Sequence, residues 1–288
     1  MGNNLADTAS LFISKLGATT KSLTKALITL RGSKIRKRNP SGSLIIMGNG
    51  PSLRKNLDDD MELLRQNDTL AVNFAANAPD FKDLRPKYYV LADPHFFQSD
   101  NDPNVRLLIS NLSAAIWPMT LFVPRNSVIH PSLRNHPYIS VETFPLNGFE
   151  GFECIENIAF DKELGMPRPR NVLIPAIMIG IWMGYKKIYL TGADHTWTRT
   201  LSVDESNHVV SIQPHFYKDN EHEEARVVST YSNIRIHEIL ESFSVAFKSY
   251  HTIRRYADMH GVSIFNSTPG SFIDAFKRSP LPLPAKQE

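Results

Sequence analysis

Short apolar runs, separated by polar and glycine-rich stretches, predict a series of buried β-strands along the chain. The first run is Leu44-Ile45-Ile46-Met47, which leads directly into Gly48-Asn49-Gly50-Pro51-Ser52. A short apolar run that stops at glycines is typical of a strand buried in a parallel sheet. Further strands are predicted at 69–74, 87–92, 121–124, 187–191 and 262–266.

Helical segments alternate with these strands. They are predicted at 53–66, 171–184 and 249–260, with a short helix ending near Lys277, whereas 125–165 has no clear pattern. This alternation predicts an α/β protein with a single Rossmann-like domain, a mostly parallel sheet and a C-terminal lid segment. The predicted parts are a basic amphipathic segment at 1–38, the domain at 39–279 with its lid at about 196–248, and a disordered tail at 280–288.

Polar residues follow several predicted strands at the point where each strand ends. They are Asn49, Asn73 and Asp93, and the strand at 187–191 is followed by Gly192 and Asp194. The carboxyl ends of parallel strands share one edge of a sheet, where α/β proteins bind their ligands. Asparagine offers both a donor and an acceptor, which suits base and ribose edges. Each residue taken alone also fits an ordinary turn.

The turn at 48–52 is a candidate phosphate site. Gly48 and Gly50 permit a close approach of the backbone, and Pro51 and Ser52 suit the first turn of a helix, where anions bind. The spacing matches neither the Gly-x-Gly-x-x-Gly pattern nor the P-loop. An ordinary strand-to-helix turn is the alternative interpretation.

Composition narrows the function classes. The 288 residues are 42% hydrophobic and 21% charged, as in globular proteins, and the longest apolar stretch, 172–183, is too short to cross a bilayer. The single cysteine, Cys154, excludes an internal disulfide and a cysteine-based metal site, and the histidine spacings fit no zinc motif. We therefore expect a cytoplasmic protein without a resident metal or cofactor.

The charge is distributed unevenly. Residues 1–38 hold eight basic residues and one acidic residue, a net charge of +7, which leaves −4 on the rest of a chain whose total is +3. A nucleic-acid-binding protein usually carries its basic surface on the folded body. The basic, amphipathic leading segment favours peripheral contact with an anionic membrane on the inner face of the plasma membrane. A helix packed on the domain and a disordered tail are the alternatives.

Two ordered motifs resemble a known family. Leu44–Leu53 and Gly184–Asp194 are similar to the two hallmark segments of the bacterial sialyltransferases of glycosyltransferase family 42. They also resemble the wider superfamily of motility-associated flagellin glycosyltransferases and 6-hydroxymethylpterin diphosphokinase-like proteins. The resemblance spans about residues 43–277.

The resemblance implies roles for individual residues, with departures from the family pattern. Asn49 and Asn73 would contact a nucleotide-sugar, whereas Asp93 replaces an asparagine. Asn171 begins the segment that replaces the family's hydroxyl-rich turn ahead of the apolar helix. Thr196 stands where a phosphate-binding tyrosine is expected.

The expected function is transfer of a sugar from a nucleotide donor, with a CMP-linked nonulosonate or related acid as the candidate donor. The acceptor would be a surface glycan or its lipid-linked precursor, and the transfer would be inverting. Such a transfer needs a base and a group that stabilises the departing phosphate. His195 and His215 are the candidate bases. The donor-binding candidates are Gly48, Asn49, Gly50, Pro51, Ser52, Asn73, Asp93, Asn171, Gly192 and Asp194, and the candidate phosphate ligands are Tyr217, Lys218 and Arg226.

Two alternatives remain at this stage. A pterin-type pyrophosphokinase would use ATP and Mg²⁺, with carboxylates such as Asp93 and Asp194 holding the metal. A non-catalytic nucleotide-binding partner in polysaccharide assembly is the other.

Overall fold

An eight-stranded sheet forms the centre of the protein. The computed structural model describes residues 2–28, 34–98, 101–210, 216 and 234–282. The sheet strands are β1 (Leu44–Met47), β2 (Asp68–Val72), β3 (Tyr88–Val90), β4 (Met119–Pro124), β5 (Ile139–Phe144), β6 (Lys187–Thr191), β9 (Ser263–Asn266) and β10 (Lys277–Arg278). Between β6 and β9, a separate antiparallel pair consists of β7 (Ser202–Val203) and β8 (Val209–Val210).

Helices occupy most of the connections. They are α1 (Gly2–Ile28), α2 (Leu53–Asp59), α3 (Met61–Arg65), α4 (Phe81–Leu84), α5 (His95–Gln98), α6 (Pro103–Ser113), α7 (Pro131–Arg134), α8 (Glu153–Asp161), α9 (Leu173–Met183) and α10 (Ile236–Met259). None of the described helices combines the length and the apolar character that crossing a membrane requires.

The strand order places the topological switch point of the sheet beside β1. The order across the sheet is β10-β9-β6-β1-β2-β3-β4-β5, and every neighbouring pair is parallel. The chain moves outward from β1 to β5 and then returns to add β6 on the opposite side of β1. At such a switch point the two connections leave in opposite directions and open a crevice at the carboxyl ends of the strands. The predicted α/β class with a mostly parallel sheet is confirmed.

Strand β1 is a continuous apolar run in the sequence because both of its faces are buried. Leu44 and Ile46 pack into the hydrophobic cluster on one face of the sheet, and Ile45 and Met47 into the cluster on the other. Successive side chains of a strand point to opposite faces, so a strand covered on both sides has no polar alternation. Helix α9, whose residues are all buried, covers one of these faces.

Several predicted elements differ in the structure. The predicted helix at 53–66 is divided at Asp60 into α2 and α3, and the helix predicted from Ser249 begins at Ile236. The short helix expected near Lys277 is absent from the described residues, and the edge strand β10 lies there instead. Pro269 and Gly270 precede it, and neither residue favours a helix interior.

Candidate active site

A cleft of about 240 Å³ lies at the carboxyl ends of β1, β2 and β6, at the switch point of the sheet. We call it the asparagine cleft. Its lining residues are Gly48, Asn49, Gly50, Pro51, Val72, Asn73, Asn171, Val172, Leu173, Gly192, Asp194, His195, Thr196, Trp197, Arg199 and Thr200.

Glycines let the turns after β1 and β6 meet at the floor of this cleft. The amide of Gly48 donates to the Thr191 carbonyl at 2.8 Å, and that of Gly50 donates to the Gly192 carbonyl at 2.9 Å. A Cβ atom at Gly48 would lie well inside the contact distance of the Gly192 carbonyl oxygen, and a Cβ at Gly192 would clash with the Gly48 carbonyl. These glycines are therefore required by the close approach of two backbones.

Asp194 is positioned by the same turn. Its carboxylate accepts a hydrogen bond of 2.7 Å from the hydroxyl of Ser52, and a Cβ at Gly50 would occupy the space of that carboxylate. The carbonyl of Asp194 also accepts a hydrogen bond of 2.9 Å from the amide of Phe272. Ser52 thus acts on the cleft through Asp194, because it does not line the cleft itself.

Three asparagines present buried amide atoms that have no hydrogen-bond partner among the described residues. These atoms are Oδ1 of Asn49, Oδ1 of Asn73 and Nδ2 of Asn171. The Nδ2 of Asn49 donates to the Val72 carbonyl at 3.2 Å, and because a carbonyl only accepts, Oδ1 of Asn49 must be the atom left over. A buried polar atom without a partner costs roughly 1–3 kcal/mol, so three of them at one cleft favour a ligand that supplies the missing bonds.

Asn171 has its amide orientation fixed by the backbone. Its Oδ1 accepts from the amide of Leu173 at 3.0 Å and from the hydroxyl of Tyr250 at 2.9 Å. The Leu173 amide can only donate, so the oxygen is correctly placed and the two N–H groups of Nδ2 are available to an acceptor. Asn171 is thus a donor site in the same cleft as the acceptor sites of Asn49 and Asn73.

His195 is buried beside the cleft with a defined tautomer. Its Nε2 lies 2.6 Å from the hydroxyl oxygen of Tyr250, whose proton is already donated to Asn171. Nε2 must therefore carry the hydrogen and donate it to Tyr250, which leaves the lone pair on Nδ1. Burial lowers the pKa of His195 to about 3, so the ring is neutral at neutral pH. The backbone of His195 has φ = +51°, and that of Asn73 has φ = +49°.

Trp197 lines one side of the cleft and is partly buried among neighbouring rings. The His195 ring stacks on it with a centroid distance of 4.1 Å, and the Phe243 ring lies at 5.1 Å with an interplanar angle of 33°. Trp197 therefore belongs to an aromatic cluster at the side of the cleft. Because His195 is neutral, Arg199 is the one cationic residue among the described residues that line the cleft. Its guanidinium lies 4.8 Å from the Phe272 ring centroid.

The structure brings together most of the residues predicted to form the site, but not Asp93. That residue follows β3, which is separated from β1 by β2, and it does not line the cleft. Its carboxylate accepts a hydrogen bond of 2.9 Å from the amide of His95 at the start of α5.

The predicted residues His215, Tyr217, Lys218 and Arg226 lie outside the described residues. Phe216 is described, and its amide donates to the Asn49 carbonyl at 3.0 Å, so this residue of the predicted lid contacts the cleft.

No protein-family model matches the sequence, and neither does any curated protein. Among solved structures, the chain is similar to a MAf glycosyltransferase from Magnetospirillum magneticum AMB-1, with 12% identity and a TM-score of 0.45. The match covers 86% of this chain and 34% of that structure, so the chain spans about a third of its length. A likeness at this level assigns no function.

Sequence reasoning missed Tyr250, which controls the hydrogen bonds of both His195 and Asn171. Its place in α10 is 55 residues from His195 along the chain, and no local pattern marks it. It also missed Arg199 as a residue of the cleft, although its position soon after Asp194 could have suggested it.

Proposed function

We propose that the chain is a glycosyltransferase whose nucleotide-sugar donor binds in the asparagine cleft. The observation that carries this proposal is the convergence of three unpartnered amide atoms, two acceptors and one donor, at the switch point of a parallel sheet. Sugar and ribose hydroxyls both donate and accept, and base edges present fixed donors and acceptors. A nucleotide-sugar therefore supplies the chemistry that these atoms lack.

The described residues of the cleft offer few partners to the phosphate of the proposed donor. Arg199 supplies one positive charge there, and Asp194, which lies in the same connection after β6, is held by Ser52. The lid residues Tyr217, Lys218 and Arg226 are the proposed additional phosphate ligands. Their segment reaches the cleft where Phe216 contacts Asn49.

In the proposed reaction, the hydroxyl oxygen of an acceptor forms a bond to the anomeric carbon of the sugar. The bond from that carbon to the phosphate oxygen breaks, and the nucleotide leaves with the electron pair. The hydroxyl proton passes to a base on the protein, and a single displacement inverts the anomeric carbon. We propose that Nδ1 of His195 accepts the hydrogen bond of the attacking hydroxyl, with His215 as the other candidate for the base.

The low pKa of His195 limits the role that its ring can have in this reaction. A base works best when its pKa lies near the working pH, and burial holds the pKa of His195 near 3. His195 is thus well suited to orient a hydroxyl and weakly suited to remove its proton. The CMP-linked nonulosonate donor and the glycan or lipid-linked acceptor remain part of the proposal.

The experiment is a thermal-shift panel of CMP, UDP, GDP and ATP, each with and without Mg²⁺. We expect stabilisation by one nucleotide without a strict need for Mg²⁺. Stabilisation by ATP only with Mg²⁺ would favour the pyrophosphokinase alternative. Release of nucleotide from the matching sugar donor then separates a transferase from a protein that only binds nucleotides, and Asn49→Ala should weaken both signals while the exposed Asn135→Ala leaves them unchanged.

A further inference from the structure

Helix α1 contacts the rest of the protein through a polar face. The hydroxyl of Ser22 donates to the carbonyl of Glu150 at 3.0 Å and accepts from the amide of the same residue at 3.0 Å. The hydroxyl of Thr19 accepts from the amide of Phe152 at 3.1 Å. Among the side chains of α1 that the structure describes, those of Thr19, Ser22 and Ala26 are buried. Two hydroxyls that satisfy backbone groups thus hold α1 on the domain.

Large apolar side chains of α1 lie outside that contact. We define the apolar ridge as Ile13, Leu16, Leu23 and Leu27, which are 67%, 50%, 43% and 67% exposed. Phe12 lies beside the ridge, and its ring packs against that of Phe152 at a centroid distance of 5.3 Å. At 100° per residue the four ridge positions fall within an arc about 80° wide beside the buried face. A helix that packs only on its own domain buries its apolar face, whereas α1 buries small and polar residues and exposes the ridge.

Charge identifies the kind of surface that fits the ridge. The described side chains of α1 include Lys15, Lys21 and Lys25 against one acidic residue, Asp7. Residues 1–38 together carry a net charge of +7. Two copies of the chain meeting ridge to ridge would bring two segments of net charge +7 close together, whereas an anionic lipid surface complements that charge. Each basic residue near such a surface contributes on the order of 1 kcal/mol.

We propose that α1 is a membrane-docking helix whose apolar ridge inserts into the interface of an anionic bilayer. The ridge supplies the buried apolar area, and the lysines supply electrostatic attraction, which is the combination found in interfacial helices. The proposal does not depend on the glycosyltransferase assignment.

The docking helix is also connected to the cleft. Its contacts at Glu150 and Phe152 lie in the loop whose neighbour, Phe149, donates to the Met166 carbonyl at 2.8 Å. The chain then continues from Met166 to Asn171, which lines the cleft.

The test is flotation of the full chain with vesicles of phosphatidylcholine alone or mixed with phosphatidylglycerol. The parent should bind the mixed vesicles and lose binding in high salt, because exposed charges are screened within about 10 Å. The double variant Leu16→Asp, Leu23→Asp should bind at least about tenfold more weakly. The matched control Ser10→Asp, Ser14→Asp makes the same charge change at exposed positions off the ridge and should lose much less.

Each outcome decides the proposal. Equal binding by the ridge and control variants would overturn it, as would a parent that binds neither vesicle. A parent that dimerises in sedimentation velocity, with the dimer lost in the ridge variant and no flotation, would assign the ridge to a second copy instead. Far-ultraviolet circular dichroism checks that the variants fold, and the milder pair Leu16→Ser, Leu23→Ser repeats the comparison without added charge.

Discussion

The hydroxyl oxygen of Tyr250 lies 2.6 Å from Nε2 of His195 and therefore decides which ring nitrogen carries the hydrogen. Tyr250 donates its own proton to Oδ1 of Asn171, whose orientation is fixed by the Leu173 amide. A backbone amide thus sets the tautomer of a histidine through two intervening side chains. This chain of bonds leaves Nδ1 of His195 and Nδ2 of Asn171 as the groups available to a ligand.

The first prediction concerns acid stability. The pKa of His195 falls from 6.5 to about 3 in the folded protein because burial disfavours the charged ring. Below pH 6.5 the unfolded chain binds a proton that the folded protein does not, so the free energy of unfolding falls as the pH is lowered from about 6.5 towards 3. The slope from this residue reaches about 1.4 kcal/mol per pH unit.

Urea unfolding of the parent and of His195→Asn between these pH values measures that slope. Asparagine tolerates the positive φ at this position better than most residues. The variant should lose the part of the pH dependence that His195 contributes. Identical slopes in both proteins would mean that His195 is not buried in its neutral form.

The second prediction concerns the tautomer. Tyr250→Phe removes the partner of Nε2 and should lower the free energy of unfolding by about 1–3 kcal/mol, because buried groups lose hydrogen bonds. The ¹⁵N chemical shifts of a histidine-labelled sample should report the Nε2–H tautomer in the parent and a mixture in the variant. Tyr256→Phe is the matched control, because Tyr256 lies on the same helix and its hydroxyl donates to Asp161 at 2.9 Å. A parent spectrum of the Nδ1–H tautomer would contradict the chain of bonds.

The third prediction concerns the floor of the cleft. Gly48→Ala should destabilise the protein by at least about 1–3 kcal/mol, because the new methyl group meets the Gly192 carbonyl oxygen and the backbone must move. Gly42→Ala is the matched control, since a Cβ there has no described atom within 4 Å. Thermal unfolding of the two variants provides the comparison. Equal melting temperatures would show that the turns after β1 and β6 do not meet as described.

The strands flanking the cleft were predictable because burial on both faces leaves a continuous apolar run. The strand predicted at 187–191 has the same bounds as β6, and β1 was predicted as Leu44–Met47. β5 was missed because only its two end residues are buried, with Ser140 exposed, and because prolines and asparagines surround it. The amphipathic helix α6 was missed as well, although Asp102 and Pro103 form a standard helix start.

The candidate site was predictable only as far as strand ends are visible in the sequence. Asn49, Asn73 and Asp93 look equivalent there, because each follows an apolar run. Their separation depends on the strand order, which places β2 beside β1 and β3 one strand further away. The role of Tyr250 depends on how α10 packs, and the local sequence carries no signal of that packing.

The most direct test of the central claim is a calorimetric titration of the nucleotide selected by the panel into the parent and into Asn171→Asp. The carboxylate keeps the bonds to Leu173 and Tyr250 but replaces the two free N–H groups with an acceptor. Asn135→Asp makes the same charge change at an exposed position far along the chain from the cleft residues and is the matched control. If the nucleotide binds in the asparagine cleft, its affinity for Asn171→Asp should be about 10–100-fold lower than for the parent, which corresponds to about 1–3 kcal/mol. Its affinity for Asn135→Asp should match that of the parent. An affinity within about twofold of the parent, with the fold intact, would contradict the claim that the nucleotide binds there.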